Sequence, residues 1–221
     1  MHSFTHHHKK SGEAAAPPSQ ARGAINMRPW FYDLMARWFV MHGQEKKFRQ
    51  MIIDLAQIQT GEAVLDVGCG TGTLALTAKK RVGNMGRVCG IDPSESLLGG
   101  ARRKAKRAGL LIDFQLGGIE QLPLPSQSFD VVLSTFMLHH VPDEHKRQGL
   151  AEIARVLKTG ARLLIVDFKR ADDLPALMQE VGLSQIEIGE IPFQIRSVAA
   201  GHQHYGFVMA RKSSTTVAEE G

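Results

Sequence analysis

The residues of this chain that could do chemistry are two carboxylates, a set of alternate glycines and a histidine pair, each placed where a strand should end. Residues Val64 to Thr73 read V-L-D-V-G-C-G-T-G-T. Val64, Leu65 and Val67 make a short apolar run with β-branched residues, which predicts a buried strand. The run carries an acid, Asp66, and passes into Gly68, Gly70 and Gly72, and a helix-compatible segment follows from Thr73 through Arg81. Strand, glycine turn and helix in that order form a nucleotide-binding crevice at the carboxyl end of a parallel strand. Glycine is needed there because a ligand lies against bare backbone or because φ is positive. The competing reading of the same residues is a tight strand–helix turn without a ligand.

Spacing narrows the choice. In the dinucleotide fingerprint G-x-G-x-x-G the third glycine comes one residue later than Gly72 does here, so that fingerprint fails. The phosphate-binding Walker pattern fails too, because no Lys-Ser/Thr pair follows. What remains, D-x-G-x-G-x-G, resembles motif I of the class I S-adenosylmethionine-dependent methyltransferases. The resemblance implies that Asp66 and the loop of Gly68, Cys69, Gly70 and Gly72 hold the amino-acid end of S-adenosyl-L-methionine, a cofactor without phosphate.

Further blocks follow in the order that family requires. Arg87 to Asp92, R-V-C-G-I-D, predicts a second strand ending in an acid. An acid in that place can accept both ribose hydroxyls, which is the role the resemblance implies for Asp92. Phe129 to Thr135 reads as the fourth strand, and Leu157 to Phe168 as a turn and the fifth. The resemblance extends from about Glu62 to Lys169. From Ile119 to Asp143 the chain is similar to the type 11 group. Within that group it resembles the ubiquinone/menaquinone C-methyltransferases, through Tyr32-Asp33-Leu34-Met35 and Asp167-Phe168. Two positions depart from that pattern. His139-His140 stands where those proteins carry Arg-Asn, and Gly118 stands where an acid usually receives the adenine amino group. The implied adenine site therefore rests on Gly118, backbone groups near Ile119 and the apolar wall of Pro93. Thr135 closes the fourth strand beside it.

A sulfonium methyl is already an activated electrophile, so such an enzyme mainly aligns a nucleophile and keeps water out, and alignment can supply about 7–11 kcal/mol. An amine acceptor needs no strong base. A phenol or ring carbon benefits from one, by about 10²–10⁴-fold. His139 and His140 follow the fourth strand, at the methyl end of the cofactor in this fold, and histidine titrates near neutrality. Either is a candidate catalytic base, and both could equally be packing residues at a helix entry. His139, His140 and His145 lack an acid or cysteine at ligand spacing, so no metal is assigned.

The elements that must position these residues follow from length and pattern. A chain of 221 residues suits one α/β domain with small additions. The expected fold is a Rossmann-like, seven-stranded, mostly parallel sheet, with the last strand antiparallel between the fifth and sixth, helices on both faces and an N-terminal helical lid. The expected organisation is a disordered tail over 1–26, the lid over 27–60, the cofactor-binding domain over 61–212 and a second tail over 213–221. Residues Arg28 to His42 hold both tryptophans and a broad apolar face. That helix reads as a cover for the core, a substrate lid or an interfacial helix making peripheral membrane contact. The net charge of +5 admits an acidic partner without requiring one. No RNA-binding module is evident: Ser134-Thr135-Phe136-Met137 stands where N/D-P-P-Y/F would mark one kind of nucleic-acid methyltransferase. A small-molecule or lipid-like acceptor is favoured over amine, RNA or protein acceptors, and over a binding protein without catalysis. Two cysteines without metal spacing, and no apolar run of spanning length, read as a reduced, cytoplasmic protein.

Overall fold

The computed structural model of the chain describes residues 29, 44–167, 174–191, 195–197, 201–203 and 205–214. The helix expected over 28–42 lies outside them apart from Pro29, as does the tail expected over 1–26.

The first strand, β1 (Ala63–Val67), is buried along its whole length. Its residues alternate between two cores. Val64 packs with one apolar cluster, and Ala63, Leu65 and Val67 pack with the other. A strand apolar on both faces belongs in the middle of a covered parallel sheet. β1 lies there, between β2 (Arg87–Asp92) and β4 (Phe129–Thr135). The sheet order is β3-β2-β1-β4-β5-β9-β6, with β3 at Asp113–Leu116, β5 at Leu157–Asp167, β6 at Leu183–Glu190 and β9 at Gly206–Lys212. The first five strands run parallel, and β9 is antiparallel to both β5 and β6. This is the expected Rossmann-like sheet, with its last strand inserted between the fifth and sixth.

Helices cover both faces. On one lie α1 (Glu45–Leu55), α2 (Thr73–Val82) and α3 (Glu95–Ala108), burying Ile52, Ala78 and Leu98 among others. On the other lie α4 (Asp143–Val156) and α5 (Leu174–Glu180), burying Ile153 and Met178. The helix boundaries follow from local chemistry. Ser94 caps α3, its hydroxyl accepting the Leu97 amide, and Gly109 ends it with φ 64°. In α1, Phe48, Ile52 and Ile53 are buried, so this helix is part of the core. At its end Arg162 reaches across from β5, donating to the Ala56 carbonyl and to both carboxylate oxygens of Glu62.

Three details differ from the sequence reading. The third strand begins at Asp113 rather than Leu111, which is 88% exposed and precedes the sheet. Two further short strands, β7 (Ile195–Ser197) and β8 (Gly201–Gln203), pair as a separate antiparallel hairpin. Each is three residues long, too short for a period-two pattern to reveal. The fifth strand runs unbroken from Leu157, with Gly160 at φ 74° inside it where a turn was expected. Among the described residues no helix is long and apolar enough to cross a membrane.

The chain leaves β1 toward β2 and β3 on one side, then returns to β4 on the other. β1 and β4 therefore flank the topological switch point, where a crevice opens beyond the strand ends. Gly72 holds the helix that starts there. Its φ is +72°, and a Cβ would stand 2.8 Å from both Ala101 Cβ and the Phe114 ring. Gly72→Ala should therefore cost about 2–5 kcal/mol, combining left-handed strain with overpacking. Gly61→Ala, also at positive φ but with nothing within 4 Å, should cost only about 1–2 kcal/mol. Urea denaturation of the two variants measures the difference, and equal losses would show that packing at Gly72 contributes nothing.

Candidate active site

The glycine loop closes on the end of β2. The amides of Gly68 and Cys69 both donate to the Ile91 carbonyl, at 2.8 and 2.9 Å, and Gly72 donates to Cys69 at 2.8 Å. Gly68, Gly70 and Gly72 all have positive φ, at 74°, 53° and 72°. Three such residues in five explain why glycine alternates here. Asp92 fastens the loop from the far side: Oδ2 accepts the Gly70 amide at 2.8 Å and Oδ1 the Ser94 amide at 2.9 Å. An ionised carboxylate can accept about four hydrogen bonds. Two directions on Asp92 thus remain for ribose hydroxyls. Burial raises the Asp92 pKa, against which the Ser94 and Gly70 amides act.

Asp66 is the more deeply buried acid, 1% exposed. The Ala75 amide donates to its carboxylate, while Oδ2 has no hydrogen-bond partner among the described residues. Burial pushes its pKa up to about 7; the Ala75 amide opposes this, nearby Asp92 adds to it, and Arg49 lowers it. A buried carboxylate oxygen without a donor is costly, and a ligand ammonium would relieve that cost. S-adenosylmethionine presents such an ammonium. The cradle formed by Asp66, the bare loop backbone and Asp92 fits that group.

The other expected cofactor contacts divide. Gly68 is needed for close approach, since a Cβ there would lie 2.4 Å from Cγ of Met137 on the segment after β4. Thr135 is half-buried at the end of β4, in register with Val166. Pro93 and Gly118 are half-buried. The Ile119 side chain packs into the core, where a Cβ on Gly149 would meet it at 2.8 Å, which leaves its backbone for a ligand. The Cys69 thiol is likewise buried, with its pKa raised by burial, and a Cβ on Gly90 would stand 2.9 Å from its sulfur.

The histidine pair sits on a 3₁₀ turn, Leu138–His140, directly after β4. Asp167, the last residue of β5, engages His139 twice. Its Oδ2 accepts the His139 main-chain amide at 3.1 Å, and its Oδ1 lies 2.7 Å from the ring Nδ1. The His140 ring lies against that of His139, centroids 3.9 Å apart. Burial lowers the His140 pKa, repulsion from His139 adds to this, and Asp167 opposes it. The site reading from sequence did not include Asp167 among the working residues. Its signals were an acid ending an apolar strand, the pattern that marked Asp66 and Asp92, and its place in the Asp167-Phe168 pair that carries the family resemblance. Met137 carried no signal at all.

An aromatic cluster packs in the core next to the segment after β4. Phe136 stacks on Phe48 of α1 with centroids 5.6 Å apart, and Tyr205 meets Phe136 edge-on at 5.3 Å. Phe136 has φ 53° and donates its amide to Val166 at 2.8 Å. Positive φ at a bulky residue is an outlier, and such strain collects at functional sites.

Two measurements test the cradle. Asp92→Ala leaves the Gly70 and Ser94 amides and any ribose hydroxyls without their acceptor, at about 1–3 kcal/mol for each buried unpaired group. Calorimetry should show S-adenosylhomocysteine binding at least ~10-fold weaker, and unchanged affinity in the folded variant would remove the ribose assignment. For Asp66 the sign follows from its raised pKa. The unliganded protein gains stability from this group below its unfolded value, near ~4, and loses it as pH rises through about 7. A ligand ammonium favours the ionised carboxylate, so binding near pH 6 should release a proton and tighten towards pH 8. Calorimetry in buffers of different ionisation enthalpy reads that proton, and Asp66→Asn should abolish its release.

Comparison with known proteins agrees with this geometry. Residues 64–160 match the family model described as a methyltransferase domain. The ubiquinone/menaquinone biosynthesis C-methyltransferase of Bordetella parapertussis is 37% identical over 145 residues, covering 63% of this chain and 55% of that protein. The 2-phytyl-1,4-naphtoquinone methyltransferase of Synechococcus elongatus is 37% identical over 130 residues, covering 58% of this chain and 55% of that one. The chain thus spans about half the length of the curated relatives it matches. Among solved structures, an S-adenosylmethionine-dependent methyltransferase from Aquifex aeolicus superposes with a TM-score of 0.63 at 20% identity, covering 84% of this chain and 99% of that one. That likeness speaks for the fold alone. Fold, motif and relatives together identify a domain resembling the class I S-adenosylmethionine-dependent methyltransferases, and within them the quinone C-methyltransferases.

Proposed function

We propose that this protein transfers a methyl group from S-adenosyl-L-methionine to a small apolar, quinone-like or lipid-like acceptor. The observation that carries the proposal is Asp66 Oδ2, buried without a hydrogen-bond partner among the described residues, on the strand that leads into the glycine loop held by Asp92. A buried acid with an unmet acceptor at a strand–glycine-loop–helix turn is a site for an ammonium-bearing group. The relatives' names supply the acceptor class, since both methylate quinones or their precursors.

When bound, the cofactor supplies an electrophilic methyl group on a sulfonium. The chain's own residues do the rest. Asp66 and the loop from Gly68 to Gly72 fix the amino-acid end. Asp92 holds the ribose, and Pro93, Gly118 and the Ile119 backbone border the adenine. Thr135 and Met137 carry the chain from β4 over Gly68 towards His139 and His140, at the methyl end. The aromatic cluster of Phe48, Phe136 and Tyr205 packs in the core and supports the segment after β4 from within. In the same proposal the aromatic segment over 28–42 contributes to acceptor binding. Pro29, its described residue, is close enough to α3 that a Cβ on Gly100 would meet it at 2.7 Å, with Thr71 of the glycine loop at 3.7 Å. The same aromatic segment gives the protein its peripheral contact with a membrane, from the cytoplasmic side.

The test is incubation of the protein with methyl-labelled cofactor and separate extracts of membrane lipid and quinone, of soluble amines and of RNA. Label should appear in the organic-soluble fraction. Label confined to amines or RNA would reassign the acceptor, and no binding of S-adenosylhomocysteine would remove the activity altogether.

A further inference from the structure

We infer that Asp167 and His139 form a carboxylate–imidazole dyad that removes a proton from the acceptor, so the acceptor is a hydroxylated aromatic ring rather than an amine. The inference rests on the methyltransferase reading and goes beyond it, assigning the base to one histidine, its orientation to a new residue and the substrate to a chemical class.

The geometry is that of an oriented base. Asp167 grips His139 at two points, main-chain amide and ring Nδ1, at 3.1 and 2.7 Å. A carboxylate has no proton to give when ionised, so Nδ1 must carry the hydrogen. The neutral imidazole then keeps its basic lone pair on Nε2. Pinning the amide as well as the ring fixes where that nitrogen points. Asp167 is 8% exposed and ends a strand that is almost wholly buried towards this end, so it is held rigidly. Asp167 from β5 and His140 from the same turn are titratable groups that face His139. An imidazolium formed on His139 is stabilised by the first and opposed by a charge on the second. His140 lies ring against ring with His139, whereas it is the His139 ring that Asp167 holds at 2.7 Å, which is why the base is assigned to His139.

An amine bearing its lone pair attacks a sulfonium methyl without such a device. A hydroxylated ring does not. In the balanced step the acceptor hydroxyl gives its proton to Nε2 of His139. The electron pair released forms the new bond to the methyl carbon, at oxygen or through the ring at carbon. The methyl–sulfur bond breaks with its electrons going to sulfur, leaving S-adenosylhomocysteine. For attack at carbon, the imidazolium returns its proton to the ring oxygen as the ring proton leaves to solvent, which restores the hydroxylated aromatic ring and the neutral base. Asp167 touches neither substrate nor cofactor in this step and is a positioning residue.

The test uses the full chain, S-adenosylhomocysteine, and naphthalenediol and benzylamine as probes with labelled S-adenosylmethionine. Long-range proton–nitrogen NMR of neutral His139 should show the hydrogen on Nδ1 in the wild type. In Asp167→Asn the amide can donate to Nδ1 and should reverse the tautomer. Transfer to naphthalenediol should lose about 10²–10⁴-fold in kcat/KM in Asp167→Asn and in His139→Gln. Asp167→Glu should recover part of the Asn loss. All variants should still bind S-adenosylhomocysteine like the wild type, which separates loss of the dyad from loss of the cofactor site. Wild-type His139 protonated on Nε2, near-normal turnover in Asp167→Asn, or transfer to benzylamine and not to the diol would each overturn the dyad. Wild-type protein that fails to bind S-adenosylhomocysteine would instead overturn the methyltransferase reading beneath it.

Discussion

Asp92 accepting the Gly70 and Ser94 amides is the interaction on which the rest of the site depends. One side chain at the end of β2 sets both the path of the glycine loop and the start of α3, which Ser94 caps. The loop in turn gives α2 its first turn at Gly72. Two helices and the crevice between them are thus referenced to one carboxylate. The arrangement demands that this carboxylate be buried, and burial raises its pKa. The two amides offset that cost by favouring the charged form.

Asp66 meets the same problem with fewer donors. It stands one strand over, between apolar residues that must be buried for β1 to lie mid-sheet. The fold cannot expose it, and the Ala75 amide satisfies only part of it. An unmet acceptor in a well-packed core is a local conflict, and such conflicts in a consistent fold are expected where a ligand completes the structure.

The three glycines of the loop show how one sequence feature divides into separate physical tasks. All three adopt positive φ, but their surroundings differ. Gly68 admits Met137, and so lets the segment after β4 lie across the loop. Gly72 admits Phe114 and Ala101, and so lets α3 and β3 close on α2. Gly70 gives its amide to Asp92. The switch point is narrow because backbone from three strands converges there, and only residues without a Cβ allow it.

Much of this was legible in the chain itself. Apolar runs of strand length located β1, β2, β4 and β5, because a parallel strand covered on both faces has to be apolar nearly throughout. Alternate glycines after Asp66 located the tight loop between β1 and α2, because positive φ leaves few other residues. Ser94 and Gly109 bounded α3 for the same local reasons. The short β7–β8 hairpin was not legible, since three residues carry no periodicity, and neither was the true start of β3, since Leu111 and Ile112 look like strand whether or not the sheet reaches them. Pairings between distant residues were hidden as well. Asp167 and His139 are 28 positions apart in sequence, and nothing local to either marks the other. The histidines alone read equally as base or as packing, and the acid ending β5 read as one more strand terminus. Parallel pairing of β4 with β5 sets Thr135 opposite Val166 and so carries the turn after β4 to the acid that ends β5. Sequence determined which residue types stand at the strand ends, because backbone conformation and burial are local demands. Tertiary structure decided which of those ends meet, because register between strands is a property of the whole sheet.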